Sequence, residues 1–167
     1  MLTLIGGGAR SGKSTAALNR ARSHIAIGGR TLFIATAERS DAEMEDRISN
    51  HQRERGEGFD LIEEPLNLAG ALSNFPKNEL VVVDCLTLWL SNAMSKDLIL
   101  DIPKVIDAAC NRSGSTIFVT NETGEGIVPM HPVSRKFRDL SGSMNQEFAR
   151  LCDEVIYMRF GIETKLK

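Results

Sequence analysis

Gly7-Gly8-Ala9-Arg10-Ser11-Gly12-Lys13-Ser14 has the residue types and spacing of a phosphate-binding loop (P-loop), and it follows the apolar run Leu2-Thr3-Leu4-Ile5. Gly7 and Gly12 let the backbone turn tightly enough for successive N–H groups to point inward at phosphate oxygens. Lys13 supplies a point charge for the β- and γ-phosphates, and the Ser14 hydroxyl can hold Mg2+. A helix starting at residue 13 would aim its positive N-terminal end at the same anion. A glycine-rich hairpin or a chance match would lack this context of a strand before and a helix after. The chain is expected to bind a nucleoside triphosphate.

Leu80-Val81-Val82-Val83-Asp84 is an apolar strand ending in a carboxylate, the form of a Walker B segment. Many buried strands end in Asp at a turn. Behind a genuine P-loop, however, a strand-end Asp84 can hold Mg2+ directly or through water. Residues 41–55 are predicted to be a helix with Asp41 as N-cap and Glu43–Arg47 as a supporting i,i+4 pair. Met44, Ile48, His51 and Arg55 then share one stripe of the 3.6-residue period, facing the body of the protein. A satisfied, half-buried histidine is the bland reading of His51. Its neighbours Arg47, Arg53 and Arg55 make a cationic surround suited to phosphate instead. An imidazole at its ordinary pKa of about 6.5 is mostly neutral at pH 7, hence a competent nucleophile toward phosphorus.

Other residues carry weaker signals. His24 ends the first predicted helix, where a favourable dipole contact explains it, and His131 reads as a surface residue. Thr120-Asn121-Glu122-Thr123-Gly124-Glu125-Gly126-Ile127-Val128-Pro129 begins where a strand should end, and is either a ligand-contacting loop or an ordinary turn. It lacks the Asn-Lys-x-Asp guanine-reading pattern. Arg135, Lys136 and Arg138 are read as a solvated helix face rather than phosphate-reaching groups.

The elements that must position these residues alternate along the chain. Strands are predicted at 2–6, 31–36, 60–63, 79–84, 115–120 and 154–159, mostly continuous β-branched and leucine runs that suit a sheet buried on both faces. Helices are predicted at 13–25, 41–55, 86–95, 101–112 and 134–152. Repeated βα units give an α/β fold of P-loop (RecA-like) type: a mostly parallel sheet with helices on both faces and ligands at the carboxyl ends of the strands. The 167 residues suit one domain.

Bulk composition narrows the function class. A net charge of -2 gives no general attraction to nucleic acid or to an anionic membrane, so neither is an expected partner. No run approaches transmembrane length, and the first strand and P-loop leave no room for a targeting segment. Cys85, Cys110 and Cys152 show no metal-binding spacing and are expected to be reduced core thiols of a cytoplasmic protein.

With these residues in view, the chain closely resembles the bifunctional adenosylcobinamide kinase/adenosylcobinamide-phosphate guanylyltransferase family of cobalamin biosynthesis. The matching pieces include the P-loop at 7–14, Ile34-Ala35-Thr36 and Glu43-Met44 with Arg47-Ile48 and His51. Asp84-Cys85-Leu86-Thr87, Thr120-Asn121-Glu122 with Gly124, and Gly126-Ile127-Val128-Pro129 follow. Arg135, Phe137-Arg138-Asp139, Gly142, Asn145-Gln146, Asp153-Glu154-Val155 and Gly161 complete the series, in order across nearly the whole chain.

The resemblance implies two reactions. A nucleoside triphosphate, ATP or GTP, phosphorylates the hydroxyl on the aminopropanol arm of adenosylcobinamide. A histidine then attacks the α-phosphorus of GTP, releasing pyrophosphate, and the GMP passes to adenosylcobinamide phosphate. His51 stands at the guanylylated position, which agrees with the helix-stripe argument. Nucleotide contacts are implied for 7–14, for Ala35, Thr36 and Ala37, for Gln52, Arg53, Glu54 and Arg55, and for Glu63 and Asp84. A homotrimer is implied as well. The stretch between Asp84 and Thr120 is shorter than in fuller members, which bears on where the corrinoid is recognised. The rival readings are a P-loop small-molecule kinase without nucleotidyl transfer and a non-catalytic nucleotide-binding module.

Overall fold

Unbroken apolar runs in the sequence become the interior of one sheet. The computed structural model describes residues 1–38, 58–77 and 79–167. Among the described residues the strands are β1 (Leu2–Gly7), β2 (Thr31–Ala35), β3 (Asp60–Glu63), β4 (Leu80–Asp84), β5 (Thr116–Val119), β6 (Glu154–Arg159) and β7 (Ile162–Lys165). The helices are α1 (Lys13–Ala26), α2 (Leu68–Asn74), α3 (Leu86–Ser95), α4 (Ile102–Cys110) and α5 (Pro132–Leu151). The strands form one sheet in the order β3-β2-β4-β5-β1-β6-β7, parallel except for the antiparallel β6–β7 pair. Every residue of β2 and β5 is buried, which is why neither strand alternates with polar residues. β3, on the edge, is exposed throughout.

Helices cover both faces. On one, Ala16, Ala17, Leu18 and Ala21 of α1 pack against Ile5, Phe33, Val82, Ile117, Val119 and Met158. The small alanines bring the helix close to the sheet, and with it the loop that precedes the helix. On the other face Leu68, Leu72, Trp89, Ile106, Met144 and Phe148 cover Leu4, Ile34, Val81, Val83 and Phe118. The Phe118 and Phe148 rings lie 4.9 Å apart. Burying a phenylalanine of this kind contributes about 1.5–3 kcal/mol.

All six predicted strands are present with ends within one residue, and four predicted helices with ends within two. The predicted helix 41–55 lies outside the described residues. Two elements went unread. α2 has only seven residues, too few for a periodic stripe, and starts where the Asn67 side chain accepts from Gly70 N at 3.1 Å. β7 is fully exposed and has no buried face to pattern. It forms because Phe160 and Gly161, at φ 55° and 77°, close a two-residue hairpin of the kind that needs positive φ at both positions. α5 begins two residues before the predicted start because Pro132 fits the first helical turn, where its missing N–H costs nothing.

Candidate active site

The P-loop leaves the end of β1 and enters α1 through two backbone conformations that favour glycine. Gly7 has φ 151° and Gly12 φ 101°. A Cβ on Gly7 would collide with the Met158 carbonyl and the Ser11 hydroxyl oxygen, and one on Gly12 would lie 3.3 Å from Gly161 Cα. No side chain caps α1 at Gly12, so its first N–H groups remain available to an anion. The β6–β7 turn supports the loop from the side, with Gly161 N donating to Ser11 O at 3.0 Å. Arg20 of α1 holds Glu163 of β7 with two bonds of 2.8 and 2.7 Å, tying the hairpin to the helix. The unpredicted strand thus buttresses the predicted motif.

Lys13 is 7% exposed and its ammonium donates to Gly8 O and, at 3.4 Å, to Ser11 Oγ. Burial holds its pKa below the usual lysine range, opposed by the neighbouring Cys85 and the Asp84 carboxylate. Asp84 ends β4 half-buried, and its carbonyl accepts from Thr36 N at 3.2 Å. The Asp84–Cys85 peptide is cis. Thr36 Oγ1 donates to Cys85 O at 2.7 Å and accepts from Cys85 N at 2.9 Å. Asn92 Nδ2 in turn donates to Thr36 O at 2.7 Å. Burial pushes the Cys85 thiol up to about 11, so it is a neutral packing group and no nucleophile at pH 7.

Beyond β5, the connection to α5 is tied down from several elements. Thr120 Oγ1 donates to Asn145 Oδ1 at 2.7 Å, Asn121 N to Thr87 Oγ1 at 2.7 Å, and Asn145 Nδ2 to Asn121 O at 3.1 Å. Arg135 donates to the carbonyls of Pro129 and Met130, and Arg138 to that of Gly124 at 2.6 Å. Arg135 is exposed, as expected of a solvated face, and Arg138 half-buried; both also satisfy loop carbonyls, a role that depends on a chain reversal invisible to local patterning.

The sheet's carboxyl edge gathers Gly7, Gly8, Ala9, Arg10, Ser11, Gly12, Lys13, Ser14, Ala35, Thr36, Ala37 and Asp84. The Thr36 hydroxyl is fully engaged by Cys85, so it orients the turn after Asp84. Glu63 stands exposed at the end of β3, in register with Ala35. His51, Gln52, Arg53, Glu54 and Arg55 lie outside the described residues. His24 lies 3.4 Å from Glu79 at the opposite edge, away from this chemistry, and His131 is exposed at the start of α5. Of the cysteines, Cys85 and Cys152 are buried as expected, but Cys110 is exposed at the end of α4.

Among the described residues no group of three or more His, Cys, Asp or Glu side chains is placed to hold a metal. The oxygen donors Ser14 and Asp84 instead suit a hard cation completed by water and substrate phosphates, which is how Mg2+ is usually held. No helix of the described residues is long and apolar enough to cross a membrane.

Sequence reasoning did not assign roles to Thr87, Asn92 and Asn145. Each is a polar residue on the sheet-facing side of a helix, Thr87 and Asn92 buried and Asn145 half-buried, and that position was the available signal.

Comparison with known proteins agrees with this geometry. The cobinamide kinase / cobinamide phosphate guanyltransferase family model matches residues 3–166. A Pseudomonas aeruginosa protein named as a bifunctional adenosylcobalamin biosynthesis protein is 38% identical over 177 residues, covering 100% of this chain and 98% of its own length. An Escherichia coli protein of the same description is 34% identical over 186 residues, with 100% of both chains covered. Both alignments run longer than this chain. Among solved structures, the flagellar accessory protein FlaH from Methanocaldococcus jannaschii superposes with a TM-score of 0.59 at 11% identity, over 99% of this chain and 77% of that one. At such identity the likeness concerns the fold alone.

Proposed function

We propose a two-step mechanism for this chain, which belongs to the cobinamide kinase / cobinamide phosphate guanyltransferase family. It is a bifunctional transferase of adenosylcobalamin biosynthesis. In the first step a triphosphate, ATP or GTP, lies in the P-loop, and the hydroxyl of the corrinoid's aminopropanol arm attacks the γ-phosphorus. The bond from that phosphorus to the β,γ-bridging oxygen breaks, and the hydroxyl proton leaves. Lys13 and the N–H groups of α1's first turn stabilise the charge on the transferring group. Ser14 and Asp84 would hold Mg2+, which when bound neutralises phosphate charge.

In the second step an imidazole nitrogen of His51 attacks the α-phosphorus of GTP, pyrophosphate leaves, and the resulting guanylyl group passes to a phosphate oxygen of adenosylcobinamide phosphate. The product is adenosylcobinamide-GDP, and His51 returns to its free form. Arg47, Arg53 and Arg55, clustered near His51 in sequence, are suited to neutralise the phosphate charge.

The observation that carries this reading is a complete P-loop whose buried Lys13 lies at the same carboxyl edge of the sheet as Asp84, in a chain matched by the family along nearly its whole length. Incubation with GTP radiolabelled at its α-phosphate tests it. Covalent label on the protein, transferable to adenosylcobinamide phosphate, is the expected result. Binding without label would leave a kinase or a nucleotide-binding module.

We also read the chain as a cytoplasmic homotrimer. Ile127, Val128, Met130 and Val133 are exposed within one short segment, apolar surface that a neighbouring subunit would cover. A monomeric mass in sedimentation would overturn the trimer.

A further inference from the structure

We infer that the Phe160 ring is the platform on which the purine base of a P-loop triphosphate stacks, with Arg159 behind it, a step that rests on the nucleotide chemistry proposed above. It concerns the part of the ligand that the phosphate-binding loop does not reach.

Sheet order and register set Phe160 beside the loop. β6 pairs with β1 in parallel, with Met158 level with Gly7, so Phe160 lies two residues past that level, beyond the carboxyl edge of the sheet. The turn is fastened to the loop there. Gly161 N donates to Ser11 O at 3.0 Å, and a Cβ on Gly12 would lie 3.3 Å from Gly161 Cα. The order β4-β5-β1-β6-β7 sets this turn on the side of β1 away from Asp84. A triphosphate whose reacting γ end is turned toward Asp84 carries its nucleoside the other way, toward β6 and β7.

The fold gains nothing from the ring. Phe160 is 89% exposed, so its side chain adds almost no buried surface. Single exposed apolar side chains are common, but this one also carries a backbone cost. Its φ of 55° lies in the left-handed region, where asparagine or glycine is the usual occupant of such a hairpin and a bulky aromatic is an outlier. Strain retained beside a binding loop, with no packing to offset it, points to a ligand.

Arg159 stands behind the ring. Its guanidinium carbon lies over Phe160, 6.0 Å from the ring centroid, and its Nη2 is 3.9 Å from Glu125 Oε2. The cation takes one side of the ring and leaves the other open. The hairpin is also stiff, since Arg20 of α1 holds Glu163 by two bonds. A ring presented on a fixed turn needs little further ordering when a base arrives. Stacking reads the π face of a base and not its edge, so it accepts adenine and guanine alike. That suits a site proposed to take ATP or GTP, in a chain without the Asn-Lys-x-Asp pattern that reads guanine edges.

Calorimetric titration of the full-length chain with the β,γ-imido triphosphates of adenosine and guanosine, and with inorganic tripolyphosphate, tests this. Wild type should bind both nucleotides more tightly than tripolyphosphate. Phe160→Ala should weaken both nucleotides about tenfold and leave tripolyphosphate within twofold. Phe160→Asn suits the left-handed turn better, so it should lose the same affinity while the melting temperature holds or rises, which separates the ring from the fold. Phe160→Trp should keep the affinity, and its added fluorescence should be quenched by the nucleotides and not by tripolyphosphate. Equal losses for nucleotides and tripolyphosphate, or no loss in either, would overturn the inference. So would a Phe160→Asn chain that keeps its nucleotide affinity but sediments with a smaller mass than wild type, since the ring would then belong to a subunit interface. A wild-type chain that binds nucleotides through Phe160 but transfers no guanylyl group would sink the proposed function alone. One that binds no triphosphate would sink both.

Discussion

Thr36 and Cys85 hold each other through a single hydroxyl: Thr36 Oγ1 donates to Cys85 O at 2.7 Å and accepts from Cys85 N at 2.9 Å. The pair bridges the ends of β2 and β4, and so fixes the residue immediately before Cys85, Asp84. Thr36 is 0% exposed, so water cannot replace either bond. Thr36→Val keeps the shape and removes the hydroxyl, leaving the buried Cys85 N–H unpaired, while the Cys85 carbonyl keeps Trp89 N at 3.2 Å. The orphaned N–H costs about 1–3 kcal/mol. The melting temperature should drop by several degrees, with a rise in the Mg2+ concentration needed for half-maximal phosphorylation. Thr36→Ser should recover most of both. A Val variant as stable as wild type would show that the two bonds contribute nothing net.

Lys13 couples nucleotide binding to pH. Burial lowers its pKa in the free protein, so it loses its proton before an ordinary lysine would as pH rises. Bound phosphate favours the ammonium and raises the pKa again. Between those two values, binding must take up a proton, and affinity falls as pH climbs through the window. The same burial means that unfolding, which restores the ordinary pKa, also binds a proton in the alkaline range below that value. Lys13's contribution to stability therefore rises with pH there. Calorimetry in two buffers of different ionisation heat should register proton uptake at alkaline pH. Lys13→Ala should remove the uptake and weaken triphosphate binding about tenfold to a hundredfold. Both activities surviving within a factor of two would remove Lys13 from the nucleotide site.

Asp84→Asn leaves β4's buried residues untouched, since the side chain is half-exposed at the strand end. The neutral amide gives up the charge that faces both Lys13 and the expected cation. The Mg2+ titration curve of phosphoryl transfer should shift to higher concentration, while guanidinium unfolding should change little. An unchanged curve would reduce Asp84 to a turn residue.

How legible these features were depended on how local they are. The P-loop is eight consecutive residues, and β4 announces Asp84 with four apolar residues before it. Strands buried on both faces read as strands from composition alone. Thr36 and Cys85 are 49 positions apart, and only the sheet order that sets β2 beside β4 brings them together. Thr87 and Asn145 are separated by more chain still, and each looks like an ordinary helix residue until β5 is placed between them. The buttress from Gly161 to Ser11 escaped because β7 has no buried face. Cys110 escaped because Ile102, Val105, Ile106 and Ala109 form the buried stripe of α4, and position 110, eight after Ile102, is where such a stripe ordinarily continues.

His51 offers the sharpest test, because the second reaction needs a nucleophilic nitrogen and the first does not. A P–N bond to imidazole is labile in acid and stable in base, unlike an acyl phosphate or a phosphoester. GMP labelling should therefore be acid-labile, alkali-stable and accompanied by pyrophosphate release. It should vanish in His51→Ala, while phosphorylation of cobinamide, which draws on the P-loop, metal and acceptor, should largely persist. His51→Asn keeps hydrogen bonding but supplies no nucleophilic nitrogen, so it should fail equally. Arg55→Ala should slow labelling without abolishing it, since a guanidinium stabilises phosphate charge but forms no bond to phosphorus. Peptide mapping that placed GMP on Lys13, His24 or His131 would defeat the assignment even if the chain proved to be a guanylyltransferase.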